Sequence, residues 1–272
     1  LPVSVLCEEI STPGEGRIRA LFTSAGNPVL STPDGKALDA ALGSLDFMAC
    51  MDVYINESTR HADVILPPAS FLSQHHYDSV FNAFAVRRVA RLNQPVRERA
   101  ADERADWEII NGIGAAFAKA SGKPWQDLPA PKTLIAMGLA GGTSGLSMAD
   151  LQAAEHGLDL GPLRPSLLPR LQTASGSIEA APELLMQALA DLAAAPVGSD
   201  DDSLLLIGRR DIRSNNSWMH NAPRLVKGKP RHQLLMHAND LRQRGLSDGK
   251  KVRLRSESGE ILVEVKACDE LM

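Results

Sequence analysis

Short apolar runs set between polar loops dominate the first third of the chain. Residues 18–23, Ile-Arg-Ala-Leu-Phe-Thr, are such a run, and Ser24-Ala25-Gly26-Asn27-Pro28 ends it in small residues. That pattern predicts a buried strand entering a tight loop. Thr32-Pro33-Asp34 offers a helix N-cap with a proline at the first helical position. Ala37, Leu38, Ala41 and Leu42 follow at helical spacing. Phe47-Met48-Ala49-Cys50-Met51 is apolar throughout and stops at Asp52, and a polar loop from Asn56 to Arg60 leads to Ala62-Asp63-Val64-Ile65-Leu66-Pro67-Pro68. Strand, helix, strand, loop, strand is the rhythm of a parallel sheet covered by helices. Uninterrupted apolar strands fit a sheet buried on both faces.

The middle is less regular. Residues 81–92, rich in Val, Phe and Arg, predict one or two short strands. Residues 105–120 predict a helix in which Trp107, Ile110, Ile113, Gly114 and Phe117 share a face, stopped by Gly122-Lys123-Pro124. Between 128 and 196 only two short helices are predicted, around 148–155 and 183–195. Residues 160–178 have no periodicity and are expected to wrap the surface. Gly198-Ser199-Asp200-Asp201-Asp202 reads as a linker, giving two expected domains, 1–198 and 203–272. In the second, residues 204–207, 232–236, 251–255 and 261–265 read as strands. Asp248-Gly249 and Ser258-Gly259 are turn signals, and residues 237–245 fit one short helix. The natural reading is a β-barrel with an inserted helix.

A length of 272 residues agrees with two domains of roughly 150 residues each. The net charge of −4 argues against nucleic acid as a partner, which would select a basic chain. No stretch approaches the ~20 apolar residues of a membrane span. Cys7, Cys50 and Cys268 lie far apart with no CxxC pair; neither an iron–sulfur cluster nor a structural zinc site is encoded. Isolated thiols fit a reducing compartment. The cytoplasm is the expected location, with the periplasm as the alternative. Both ends read as cut, at Leu1 and at Met272, so the chain is expected to be a piece of something longer.

Candidate chemistry follows from the strand ends. In an open parallel sheet, ligands bind beyond the carboxyl ends of the strands. One such end carries Gly26 and Asn27, where a ligand can approach the backbone and N–H groups can bind a phosphate. The next carries Met51 and Asp52, whose carboxylate can accept hydrogen bonds from ribose hydroxyls or guanine N–H groups. Spacing alone leaves open a plain turn glycine and a helix-capping Asp. Neither GxGxxG nor GxxxxGK[ST] is present. The densest polar cluster runs from Arg209 to Asn221, where guanidinium groups, amides and a hydroxyl surround Trp218. Arg binds phosphate bidentately and amides read heterocycle edges. The alternative is a polar turn that Trp218 anchors to the barrel. His75, His76 and Asp78 lack a third ligand at helical spacing, and no GxSxG elbow exists. Neither a metal ligand nor a catalytic residue is therefore assigned.

These residues resemble the carboxyl-side half of the molybdopterin-dinucleotide oxidoreductases: formate dehydrogenases, nitrate reductases, and dimethyl- or biotin-sulfoxide reductases. Three blocks carry the resemblance. They are Ala25-Gly26-Asn27-Pro28; then Met51-Asp52 through Thr59, Ala62 to Pro67 and Ala105-Asp106-Trp107-Glu108-Ile109; and Gly208-Arg209 to Asn221 with His237-Ala238-Asn239-Asp240 and Gly245 to Gly249. It implies a Rossmann-like α/β domain followed by a truncated double-psi β-barrel. The implied cofactor is molybdopterin guanine dinucleotide, as a bis-complex of molybdenum or tungsten. Gly26 and Asn27 would line its phosphates, Met51 and Asp52 would meet the nucleoside, and Asp106 would hold the guanine. Gly208, Arg209, Arg213, Ser214, Asn215, Asn216 and Ser217 would wrap the pterin and pyrophosphate. Gln74 is a further candidate, although Ser73-Gln74-His75-His76-Tyr77 departs from the family's usual acidic residue and turn. The metal ligand and any 4Fe-4S cluster would lie in upstream domains of the same protein. A small-molecule substrate and an electron-transfer protein are the implied partners. An alternative is a structural subunit of an electron-transfer complex that keeps the fold without the pterin.

Overall fold

α1 (Leu6–Ser11), β1 (Ala20–Ser24), α2 (Pro28–Ser31), α3 (Gly35–Leu42), β2 (Phe47–Met51) and β3 (Val64–Ile65) open the computed structural model, which describes residues 2–194, 204–215 and 218–271. β2 lies between β1 and β3 and runs parallel to both, with Ala20 opposite Phe47 and Ala49 opposite Val64. Alternation along the strand turns Met48 and Cys50 to one face. There they join Ile10, Val29, Leu38, Ala41 and Leu42 in a buried core. The opposite face departs from the sequence expectation, since Phe22, Phe47 and Val64 remain exposed. Apolar strand content signals that a face is suited to cover but does not supply the covering element. The cap of α3 also differs. Asp34 holds it from a left-handed φ of 48°, accepting the Ala37 N–H at 3.2 Å. Pro28, rather than Pro33, is the proline that starts a helix.

Next come β4 (His76–Tyr77), β5 (Arg87–Ala90), β6 (Leu92–Asn93), α4 (Asp106–Ala120), α5 (Pro131–Gly141), α6 (Met148–Ala153) and β7 (Leu158–Pro162). β4 pairs with β6 and β5 with β7, both antiparallel. Ala90, Leu92, Leu139 and Leu151 form the second core. α5 and β7 are corrections, since the sequence predicted neither. β7 falls where a structureless wrap was expected; its partner strand lies some seventy residues earlier, and a left-handed Gly161 and a proline hide its alternation. The expected face of α4 is not its buried one: Phe117 is 70% exposed, while Asn111 and Ala118 are buried. The two compact units of the chain are Leu1–Pro169 and Arg170–Met272.

The second unit contains α7 (Glu183–Ala194), α8 (Pro223–Val226), β8 (Gln233–Met236), α9 (Ala238–Gln243), β9 (Lys251–Arg255) and β10 (Glu260–Ala267). β10 is central, parallel to β8 and antiparallel to β9. Leu241, Val263 and Val265 are buried here. The His237 ring caps α9 by accepting the Asn239 N–H at 3.1 Å. The strand expected at residues 204–207 does not form; all four are exposed and pair with no strand among the described residues. An apolar run becomes a strand only where a neighbour takes up its N–H and C=O groups. The linker expected at residues 198–202 lies outside the described residues.

Candidate functional site

The carboxyl ends of β1 and β2 bring four of the candidate residues together. Ser24 and Met51 are opposite one another in the parallel ladder, and the Ala25 N–H donates to the Met51 carbonyl at 2.9 Å. Ala25 takes a left-handed φ of 49°, which turns the chain sharply out of the strand before Gly26. A Cβ on Gly26 would meet only the Ser24 carbonyl, at 3.7 Å, so the backbone there is open to approach. Among the described residues, no hydrogen bond engages the N–H of Gly26 or Asn27. Met51 itself is buried, 3% exposed, and its carbonyl is already taken by Ala25.

The polar loop after β2 ties these strand ends to each other. One Asp52 oxygen accepts the N–H groups of Val53 and Tyr54 at 2.6 and 3.2 Å, while the other accepts from Asn56 Nδ2 at 3.2 Å. Asn56 Oδ1 accepts the N–H groups of Ser58 and Thr59, each at 3.0 Å. The Ser58 hydroxyl donates to Asn27 Oδ1 at 2.6 Å and accepts the Val29 N–H at 3.1 Å. Asn27 Nδ2 donates to the Glu57 carboxylate at 2.8 Å, and that hydrogen bond is the main cause holding Glu57 below the usual carboxylate range. Ser58 and Thr59 are both fully buried. Asn27 and Asp52 therefore belong to one network although they leave different strands. The sequence reading placed Asn56, Glu57, Ser58 and Thr59 in a polar loop, within a block that carries the resemblance, but named none of them as a site residue. The available signal was a run of six consecutive polar residues, Asn56 to His61, set between two apolar strands.

Gln74 and Asp106 lie elsewhere in the same unit. The segment after β3 is fixed to the approach to α4 where the Ala69 N–H donates to the Arg104 carbonyl at 2.7 Å. Gln74 Nε2 donates to the Ala69 carbonyl at 3.0 Å, so one of its donors serves the fold. Asp106 stands exposed in the first turn of α4, and its carboxylate has no hydrogen bond or ion pair among the described residues. Its backbone setting is firm: Glu108 accepts the Ala105 N–H at 2.8 Å and is itself gripped by Arg99 at 2.6 and 3.0 Å. Arg99 also lines, with Ser73 and Gln94 to Glu98, an open cleft of about 670 Å³.

In the second unit, Asp211 organises the polar cluster. It accepts the Arg213 N–H at 2.9 Å, its carbonyl takes the Ser214 hydroxyl at 2.8 Å, and its carboxylate pairs with Arg231 at 3.2 Å. Arg209 donates to the Arg231 carbonyl at 3.0 Å. Asn215 has a left-handed φ of 42°. Gly208, Arg209, Arg213 and Asn215 are exposed, whereas Asn216 and Ser217 lie outside the described residues. Trp218 is 80% exposed, so it does not anchor this loop as the alternative sequence reading required.

Comparison with known proteins matches the two stretches that carry these residues. Residues 2–116 match the molybdopterin oxidoreductase model, and residues 204–272 match the molydopterin dinucleotide binding domain. The assimilatory nitrate reductase catalytic subunit of Bacillus subtilis (strain 168) is 31% identical over 105 residues, covering 39% of this chain and 14% of that protein. The NADPH-Fe(3+) oxidoreductase subunit alpha of Geobacter sulfurreducens is 24% identical over 252 residues, covering 92% of this chain and 25% of that protein. Among solved structures, acetylene hydratase from Pelobacter acetylenicus superposes with a TM-score of 0.71 at 17% identity, over 98% of this chain and 37% of that one. The chain thus spans well under half the length of each of these proteins.

Proposed function

The chain belongs to the molybdopterin oxidoreductase family, and from that premise we propose that it is the dinucleotide-gripping portion of a larger two-electron oxidoreductase. The observation that carries this reading is the joined pair of strand ends. Asn27 and Asp52 sit on one hydrogen-bonded network, next to the open backbone of Gly26. The donor set fits a guanine dinucleotide. The N–H groups of Gly26 and Asn27, unbonded among the described residues, can take a phosphate oxygen. Asp52 can accept from a ribose hydroxyl or a base N–H. Asp106, whose carboxylate has no partner among the described residues, suits the paired N–H donors of guanine. Arg209, Arg213, Ser214 and Asn215, with Asn216 and Ser217, supply the charged and amide groups for a pterin and a pyrophosphate. Met51 would contribute a buried wall. Gln74 keeps its carbonyl oxygen for a ligand, since its amide serves Ala69.

A bound molybdenum or tungsten pterin supplies the redox or oxo-transfer chemistry; this chain's residues hold the dinucleotide and orient it. On this reading the three-stranded sheet of the second unit is the start of a double-psi barrel. The metal ligand, a 4Fe-4S cluster, the substrate contacts and an electron-transfer partner belong to the rest of the enzyme. The test is elemental and nucleotide analysis of protein expressed with molybdate as the complete gene product. Molybdenum together with about two guanine nucleotides per metal is expected. Absence of both would leave a structural subunit that keeps the fold without the pterin.

A further inference from the structure

The proton inventory around Asn27 singles out Glu57. A carboxamide has two faces that differ only in which atom they present, and its neighbours decide which way it turns. The Val29 backbone can only donate, so its 3.1 Å bond uses a lone pair of the Ser58 oxygen. That leaves Ser58 with its proton and one further lone pair. Ser58 can therefore donate to Asn27 Oδ1, as it does at 2.6 Å, or accept from Nδ2 if the amide turns over. Ser58 alone does not fix the amide. Glu57 does, because an ionised carboxylate accepts and cannot donate. It demands Nδ2 on its own side, at 2.8 Å. The second Nδ2 proton of Asn27 has no partner among the described residues and remains available as a donor, in the same short loop as the unbonded N–H groups of Gly26 and Asn27.

Resting on the reading of Asn27 as a phosphate contact, we propose that Glu57 is a positioning residue that holds the Asn27 amide with its donor edge toward the dinucleotide phosphate. Glu57 does not touch the ligand in this role. An overturned amide would present a carbonyl oxygen to a phosphate oxygen, which is repulsive. The carboxylate's own charge acts in the opposite sense, as a bare anion near a phosphate. It is exposed, where water screens it strongly, so the orientation effect prevails. A neutral Gln at this position keeps the size of the side chain but can offer either its oxygen or its amide to Asn27. Glu57→Gln therefore removes the bias without removing bulk.

The experiment titrates the complete gene product, purified from a host that does not make the pterin, with guanosine diphosphate and, separately, with guanosine, by calorimetry. Four proteins are compared: wild type, Asn27→Ala, Glu57→Gln and the double variant. Wild type is expected to prefer the diphosphate. Glu57→Gln should lose about tenfold in diphosphate affinity, the scale of one hydrogen bond with a charged partner, with guanosine binding unchanged. In the Asn27→Ala background the same Glu57 change should have no further effect, because its action runs through Asn27. A structural role for Glu57 would instead weaken both ligands and add to Asn27→Ala. Two results separate the failures. If Asn27→Ala weakens the diphosphate but Glu57→Gln does not, or binds it more tightly, the positioning role is overturned while the Asn27 reading stands. If wild type shows no preference for the diphosphate, or Asn27→Ala does not change it, the Asn27 reading falls and the positioning role falls with it.

Discussion

The carboxamide of Asn111 closes a two-point clasp on the backbone of Leu128: Nδ2 donates to the carbonyl at 3.1 Å and Oδ1 accepts the N–H at 2.9 Å. Asn111 is buried, only 6% exposed, and sits mid-helix in α4. The clasp pins the chain after α4 back onto the helix, and Asp106 lies at the start of that same helix. Replacing Asn111 by Ala removes both bonds and leaves the N–H and C=O of the exposed Leu128 to water. The expected loss is about 1–3 kcal/mol, the sum of two such bonds. Asn111→Asp should fall between, since a carboxylate can accept from Leu128 but cannot donate to it. Urea unfolding of the three proteins decides. A midpoint for Asn111→Ala within error of wild type would show that the clasp is dispensable.

One turn further along α4, Gly114 faces the ring of Trp125. A Cβ there would lie 2.1 Å from the ring carbon Cζ/Cη edge, inside any tolerable contact. The indole is tethered, with Nε1 donating to Asp127 at 2.8 Å. Two effects compete in Gly114→Ala. Helix propensity favours Ala by about 1 kcal/mol, whereas displacing a packed ring costs about 1–3 kcal/mol. The tether tips the balance, so a net destabilisation of about 1 kcal/mol is expected. The emission of Trp125 should shift to the red as the ring is pushed outward; a stabilised variant with unchanged emission would mean that the ring yields freely.

The strand ends were legible because the chemistry changes abruptly there. Phe47 to Met51 is apolar and Asp52 is not; Thr23 gives way to Gly26 and Asn27. Period and punctuation mark such places without any knowledge of the fold. Asn56 to Thr59 were not legible as part of the network that ties Asn27 to Asp52. A polar tetrapeptide looks the same whether water or Asn27 satisfies it, and full burial of Ser58 and Thr59 is a property of the surrounding fold. β7 was hidden for a related reason. Its pairing with β5, including the Arg87–Asp159 contact at 2.7 Å, joins segments far apart in sequence, so no local pattern records it. In the second unit, the hairpin of β9 and β10 was readable from Ser258-Gly259. Residues 204–207 are as apolar as a strand, but apolar content does not specify a pairing partner, and they have none among the described residues.

Cys50 should resist modification where the other two thiols do not. It is fully buried in β2 and receives the Thr23 hydroxyl at 3.0 Å. Burial raises its thiol above the ordinary value, with the Asp52 charge adding in the same direction and Thr23 opposing. The thiolate is the reactive form, so both access and ionisation protect it. Native protein treated with a thiol reagent at neutral pH should label Cys7 and Cys268, both half-buried, well before Cys50. Peptide mapping gives the order. Equal labelling of Cys50 in folded protein would show that the first core opens readily.

Stability should decline toward acid partly through Asp39. Its carboxylate on α3 receives Arg60 at 2.6 and 2.7 Å and contacts His61 Nε2 at 2.6 Å, so it fastens the helix to the turn that leads into β3. The hydrogen bond with His61 is the largest cause lowering its pKa, followed by that with Arg60. The sign follows from linkage. A carboxyl that titrates lower when folded than when unfolded binds fewer protons in the native state. Its contribution is fully present above the ordinary Asp value and is lost as pH falls through the lowered one. Asp39→Asn keeps the shape but not the charge and should remove that part of the acid sensitivity. Urea midpoints measured from pH 7 down through the carboxylate range should therefore converge for the two proteins at the acid end, with wild type more stable at neutral pH. Parallel curves across the whole range would mean that Asp39 contributes nothing that depends on its charge.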